Sequence, residues 1–166
     1  MSEEQYIKIT SYIRKNKFRE KSIVYLCNLL PLFFVFIYII SILILIINNN
    51  KDTFLFIAVP ASNFLLISIF RKIINKPRPY DIFNYEPIIK HSSGKSFPSR
   101  HTSSAFVIAV SYFYVNHIYL GIFMFITAII IGLSRIICGI HFPKDIISAA
   151  LISIIWAIAG FNLIIL

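Results

Sequence analysis

His141 and Asp145 stand four residues apart in the stretch SRIICGIHFPKD, Ser134 to Asp145, with Arg135 ahead of them. A carboxylate at that spacing can reach an imidazole, fix its tautomer and raise the basicity of the free ring nitrogen, which suits a nucleophile or a base. Two further polar stretches carry matching chemistry. RKIINKPRP supplies Arg71, Lys72, Lys76, Arg78 and Pro79, and FPSRH supplies Ser99, Arg100 and His101. Fixed cations, a hydroxyl and backbone N–H groups at a helix start suit a phosphate group. His101 has no acid near it in sequence and is a candidate general acid or base. Taken singly, each piece has an ordinary reading, because basic residues beside apolar runs are usually topology signals.

The elements that must position these residues are built for lipid. The chain is 58% hydrophobic and 14% charged, with a mean hydropathy of +0.79, too little polar surface for a water-soluble domain. The fold class is therefore all-α, a polytopic transmembrane helix bundle, and 166 residues allow a single domain over 1–166. The formal charge of +9 comes from 16 Lys+Arg against 7 Asp+Glu. In a chain this apolar it implies phosphate headgroups or an anionic leaflet, not nucleic acid.

Residues 1–21 are basic, and Tyr6, Ile9, Tyr12 and Ile13 recur at helical spacing. That pattern predicts an amphipathic helix on the membrane surface; a solvated basic tail is the plain alternative. Residues 22–166 form the bundle. Apolar runs at 22–47, 53–74, 102–115, 118–137 and 146–166 predict about five spans, or four with a split near residue 116. The first is too long for a signal-peptide core and is expected to be retained. Pro31 and Pro60 predict kinks. Residues 75–98 hold four prolines and one glycine, which forbid a continuous helix there. Cys27 and Cys138 fall in apolar sequence and read as small buried hydrophobes, with no metal-ligand spacing.

Five spans bring 1–21, 71–101 and 135–145 to one face of the membrane, together with every Lys and Arg except Lys51. Three distant stretches with phosphate chemistry at one face read as a site.

The motifs at 71–79, 98–101 and 134–145 resemble those of the type 2 phosphatidic acid phosphatase family, the membrane branch of the vanadium haloperoxidase-like superfamily. Its patterns are K-x6-R-P, P-S-G-H and S-R-x5-H-x3-D. The third matches at Ser134, Arg135, His141 and Asp145. Two positions depart. Arg71 occupies the lysine position of the first pattern, and Lys72 lies one residue on, about 100° around the helix. Arg100 stands where the family has glycine; an extra cation suits a diphosphate, and a side chain turned outward to lipid headgroups is the bland reading.

The resemblance implies a lipid phosphatase with no metal and no cofactor. It implies His141 as a nucleophile forming a phosphohistidine, Asp145 as its orienting partner, and His101 as the proton donor to the leaving group and activator of water. It implies Arg71, Arg78, Ser99 and Arg135 as ligands of the phosphoryl oxygens, with Lys72 and Arg100 as further phosphate-binding candidates. The implied partners are the bilayer and a phosphorylated membrane lipid: phosphatidic acid, phosphatidylglycerophosphate or undecaprenyl diphosphate. The alternative is a non-catalytic phospholipid-binding or transport protein, which would need the arginines but has no use for a histidine–aspartate pair. The expected location is a bacterial cytoplasmic membrane. The basic N-terminal segment places the site on the cytoplasmic side, whereas many bacterial members of the family work at the outer face.

Overall fold

A computed structural model describes residues 1–163, and every regular element among them is helical. In chain order these are α1 Glu3–Arg14, α2 Lys17–Ile47, α3 Thr53–Ile74, α4 Pro79–Ile82, α5 Arg100–Tyr114, α6 Ile118–Ile137 and α7 Pro143–Leu163. The predicted last span reached Leu166, and its final three residues lie outside the described ones.

The basic segment 1–21 is not one unit, which corrects its predicted boundary. A capping box starts α1: Ser2 Oγ accepts from the Gln5 N–H and Gln5 Oε1 accepts from the Ser2 N–H. Asn16 then caps a second helix, its Oδ1 accepting from the Phe18 and Arg19 N–H groups. Lys17, Arg19 and Lys21 are thus the first turns of α2, whose 31 residues rise about 46 Å. That exceeds a hydrocarbon core of about 30 Å, so the charged turns can stand clear of it. Pro31 and Pro60 lie inside α2 and α3, which are continuous through them.

Four helices, α2, α3, α6 and α7, are long and apolar enough to cross a membrane. The fifth predicted span is α5, and its 15 residues rise only about 22 Å. It sits at the centre of the bundle, packed on α3, α6 and α7, and is buried along most of its length. Enclosed by its neighbours, α5 needs no apolar face toward lipid, which accounts for its serines and threonine.

Lipid tails are as apolar as leucine, so burial alone does not hold such helices together; tight packing and interhelical hydrogen bonds do. Leu32, Phe36, Ile126 and Leu151 face outward, while Phe56, Val59, Ala105, Tyr112, Met124 and Ala157 interdigitate inside. Within that core Asn63 Nδ2 donates to Ser103 Oγ (2.8 Å), which lies 2.6 Å from Ser153 Oγ, joining α3, α5 and α7. At the end away from the three motifs, Tyr114 stacks on Phe161 and accepts from Asn162 Nδ2. Consequently α5 and α7 both start among the motifs and run away from them, while α3 and α6 arrive there.

Candidate active site

The turn between α6 and α7 presents His141. Gly139 makes the turn possible at φ +74, and a Cβ there would lie 2.9 Å from Tyr85 Cε2. Both the left-handed backbone and the close ring require glycine. Gly139→Ala is therefore expected to lower stability by about 1–3 kcal/mol, read as a lower unfolding midpoint in detergent.

Pro143 then opens α7 and Asp145 falls in its first turn. Asp145 Oδ2 accepts from the Phe142 N–H (3.0 Å) and from Ser96 Oγ (2.6 Å), and lies 3.4 Å from His141 Nδ1. Ser96 Oγ is itself 3.3 Å from His141 Nδ1, so imidazole, hydroxyl and carboxylate form one closed group. His141 is 3% exposed and Asp145 1%. With Nδ1 turned to the carboxylate, Nε2 is the nitrogen left for the cavity that His141 lines. Burial pushes the His141 imidazolium down to about 4, with Arg78 and Arg71 pushing the same way and Asp145 opposing. The ring is neutral at pH 7, with a free lone pair.

That cavity, about 390 Å³, collects Arg71, Lys72, Arg78, Lys95 and Arg100 as well as His91, His101 and His141. Asp and Glu are absent from its described lining. Five cations without a carboxylate select an anion.

Two of the cations are locked by the backbone. Arg71 Nη1 donates to Pro98 O (2.7 Å) and Ser96 O (3.4 Å), tying α3 to the loop before α5. Arg78 Nε donates to Gly94 O (3.1 Å) and Nη1 to Ile140 O (3.1 Å), one residue from His141. Carbonyls leave these charges uncancelled while holding them still. Lys72 is exposed and Arg71 buried, although both line the cavity.

Three predicted residues stand behind the wall. Asp145 supports His141 from there. The Ser99 N–H donates to Asp145 O (3.1 Å), and its hydroxyl accepts from Thr102 Oγ1 (3.0 Å). Arg135, 2% exposed, donates through Nη2 to Cys27 O (2.8 Å), and its Nε–H has no partner. Neither Ser99 nor Arg135 is in the cavity lining.

Sequence reasoning missed Ser96, Tyr6 and the loop's other contributors. Ser96 lies 49 residues from Asp145, and no spacing rule reports their contact. Tyr6 Oη donates to His141 O (3.1 Å) across 135 residues. Its ring, fully buried, stacks on Tyr85 at 5.2 Å and meets Phe142 edge-on. Arg14 pairs with Glu86 (3.2 Å) and donates to Pro87 O (3.0 Å), so α1 straps the loop that bears Arg78. The only signal for α1 was its apolar spacing, and Tyr6 and Ile13 of that set are buried against protein.

Four helices long and apolar enough to cross a membrane, and a cationic cavity holding a carboxylate-backed histidine at one end, define a polytopic membrane protein with a polar, positively charged cavity. The chain belongs to the PAP2 superfamily, whose family model matches residues 52–165. It is similar to undecaprenyl-diphosphatase BcrC of Bacillus subtilis, 30% identical over 56% of this chain and 46% of that protein. It is also similar to phosphatidylglycerophosphatase B of the same organism, 29% identical over 72% of this chain and 59% of the relative. These matches take in less than two thirds of either relative's length. The fold matches Aquifex aeolicus LpxE with a TM-score of 0.76, at 24% identity over 96% of this chain and 93% of that one.

Proposed function

We propose that this chain is an integral membrane phosphatase that hydrolyses a phosphomonoester or diphosphate of a membrane lipid. The observation that carries the proposal is His141, nearly sealed from solvent and backed by Asp145 and Ser96, at the wall of a cavity whose charged lining is all cationic. A binding protein would need the cations alone.

In the reaction, His141 Nε2 attacks phosphorus as the bond to the lipid-side oxygen breaks, and His101, which takes up a proton when the bound phosphate offsets the surrounding cations, gives that proton to the departing oxygen. Water activated by His101 then cleaves the phosphohistidine, releasing inorganic phosphate and restoring the imidazole. Arg71 and Arg78 hold the phosphoryl oxygens, and because carbonyls fix both guanidiniums they need no reorganisation as charge develops. Lys72 supplies mobile charge at the rim. Ser99 acts through the backbone of Asp145, and Arg135 offers its free Nε–H from behind the wall.

The test is phosphate release in detergent micelles containing EDTA, from lipid monophosphates and diphosphates bearing radiolabel in the terminal phosphate. Release that proceeds with EDTA, together with alkali-stable label on the protein after a rapid quench, is the expected result. Binding of these lipids without release would instead establish the non-catalytic alternative. Ser96→Ala removes one hydrogen bond to a buried carboxylate, worth about 1.5–3 kcal/mol, and is expected to lower kcat about tenfold or more while leaving KM little changed.

A further inference from the structure

Beside the cationic cavity lies a second one of about 290 Å³, walled by Pro31, Phe34, Phe64, Ala105, Ile108 and Ile131 of α2, α3, α5 and α6. The residues common to the linings of both cavities are Arg100 and His101. Arg100 is exposed, with its guanidinium carbon 5.4 Å from the Phe64 ring centroid. Unlike Arg71 and Arg78, it makes no side-chain hydrogen bond or ion pair among the described residues. It is a cation without a protein acceptor, held over an aromatic face where the polar cavity opens into the apolar one.

We infer that Arg100 binds the lipid-proximal phosphate of a lipid diphosphate whose terminal phosphate lies against His141, and that it thereby selects diphosphates over monophosphates. This rests on the phosphatase reading above and names its substrate class. A lipid monophosphate has one anionic group, and Arg71 and Arg78 already converge on it; its chain passes directly into the apolar cavity. A lipid diphosphate places a second anion between the terminal phosphate and the chain, at the junction where Arg100 stands. In the step, His141 Nε2 bonds to the terminal phosphorus while the bond from that phosphorus to the bridging oxygen breaks. The electron pair stays with the bridging oxygen, which becomes part of the departing lipid monophosphate. Water then releases inorganic phosphate from His141. Arg100 offsets the charge that builds on the departing phosphate, a charge that a departing lipid alcohol never places there.

The experiment compares phosphate release from a long-chain prenyl diphosphate and from the monophosphate of the same chain, in the same micelles. The wild-type full chain is set against Arg100→Gln and Arg100→Lys. Wild type is expected to prefer the diphosphate. In Arg100→Gln the diphosphate-to-monophosphate ratio of kcat/KM is expected to fall about tenfold or more, the scale of one hydrogen bond to a charged group. Arg100→Lys, which keeps the charge, is expected to hold that ratio within about threefold of wild type. A guanidinium that only touches surrounding headgroups would lower both rates alike, and an unchanged ratio in Arg100→Gln overturns the inference. A wild-type enzyme active on the monophosphate alone overturns it too, while leaving the phosphatase reading intact. Release from neither lipid removes that reading and this inference together.

Discussion

Replacing His141 with alanine is expected to reduce phosphate release by about 10⁴-fold or more and to abolish the alkali-stable phosphoprotein. Loss of a nucleophile removes the covalent route entirely, and among the described residues no second imidazole with a carboxylate partner lines the cavity. His101 lies on the same wall, but no hydrogen bond to an acid orients its ring among the described residues. The comparison is made on protein whose unfolding midpoint in detergent is close to wild type. Near wild-type turnover in the alanine variant would refute the mechanism, because every other part of the cradle would still be present.

The protonation state of His141 sets the pH behaviour. Burial and the neighbouring arginines bring its pKa down to about 4, against about 6.5 for a free histidine. Its lone pair is therefore available across the whole range above about pH 5, and His141 itself imposes no acid limb near pH 6.5. Stability follows the same shift with a definite sign. Above the unfolded-state pKa both states carry a neutral ring, and the group adds no pH dependence. Between about 6.5 and 4 the unfolded chain takes up a proton that the folded one refuses, so stability falls as pH falls. The His141→Ala variant is expected to show a shallower decline over that window, measured by unfolding midpoints at a series of pH values.

Asp145→Asn is the second large effect, about 10²–10⁴-fold in kcat. Asparagine fills the same volume and its oxygen can still accept from the Phe142 N–H, so folding is expected to survive. That one oxygen position serves the Phe142 N–H, Ser96 Oγ and His141 Nδ1 alike, so the amide keeps the acceptor but loses the negative charge. An uncharged partner no longer stabilises the positive ring that forms when His141 Nε2 bonds to phosphorus. A KM close to wild type with collapsed kcat is the expected split, since none of the cavity cations depends on Asp145 through a hydrogen bond. A KM rise with intact kcat would instead make Asp145 a purely structural residue.

The structure makes these expectations specific in a way the chain alone cannot. Composition shows lipid as the solvent, because polar surface is simply missing, and the three motif stretches are legible because each is local. His141 and Asp145 sit one helical turn apart, and Arg71 and Arg78 flank a break enforced by proline. Local spacing also carries the membrane helices α2, α3, α6 and α7, since a long apolar run has few alternatives. The fifth predicted span is less direct. α5 is short and studded with hydroxyls, and only its enclosure by α3, α6 and α7 explains why that composition is tolerated.

What tertiary structure decided is which charges meet. Arg135 and Arg71 are both motif cations in sequence, yet one is drawn to the Cys27 carbonyl inside the bundle and the other lines the cavity. Ser96 has no local signal and Tyr6 only its place in an apolar helical pattern, yet they hold His141 through contacts 45 and 135 residues away. Hydropathy and spacing act over one helical turn or one span, so they place residues on elements. Hydrogen bonds to buried carbonyls and carboxylates act only once elements are packed, so the fold alone determines which of those residues share a cavity, and places Arg100 where the polar cavity gives way to the apolar one.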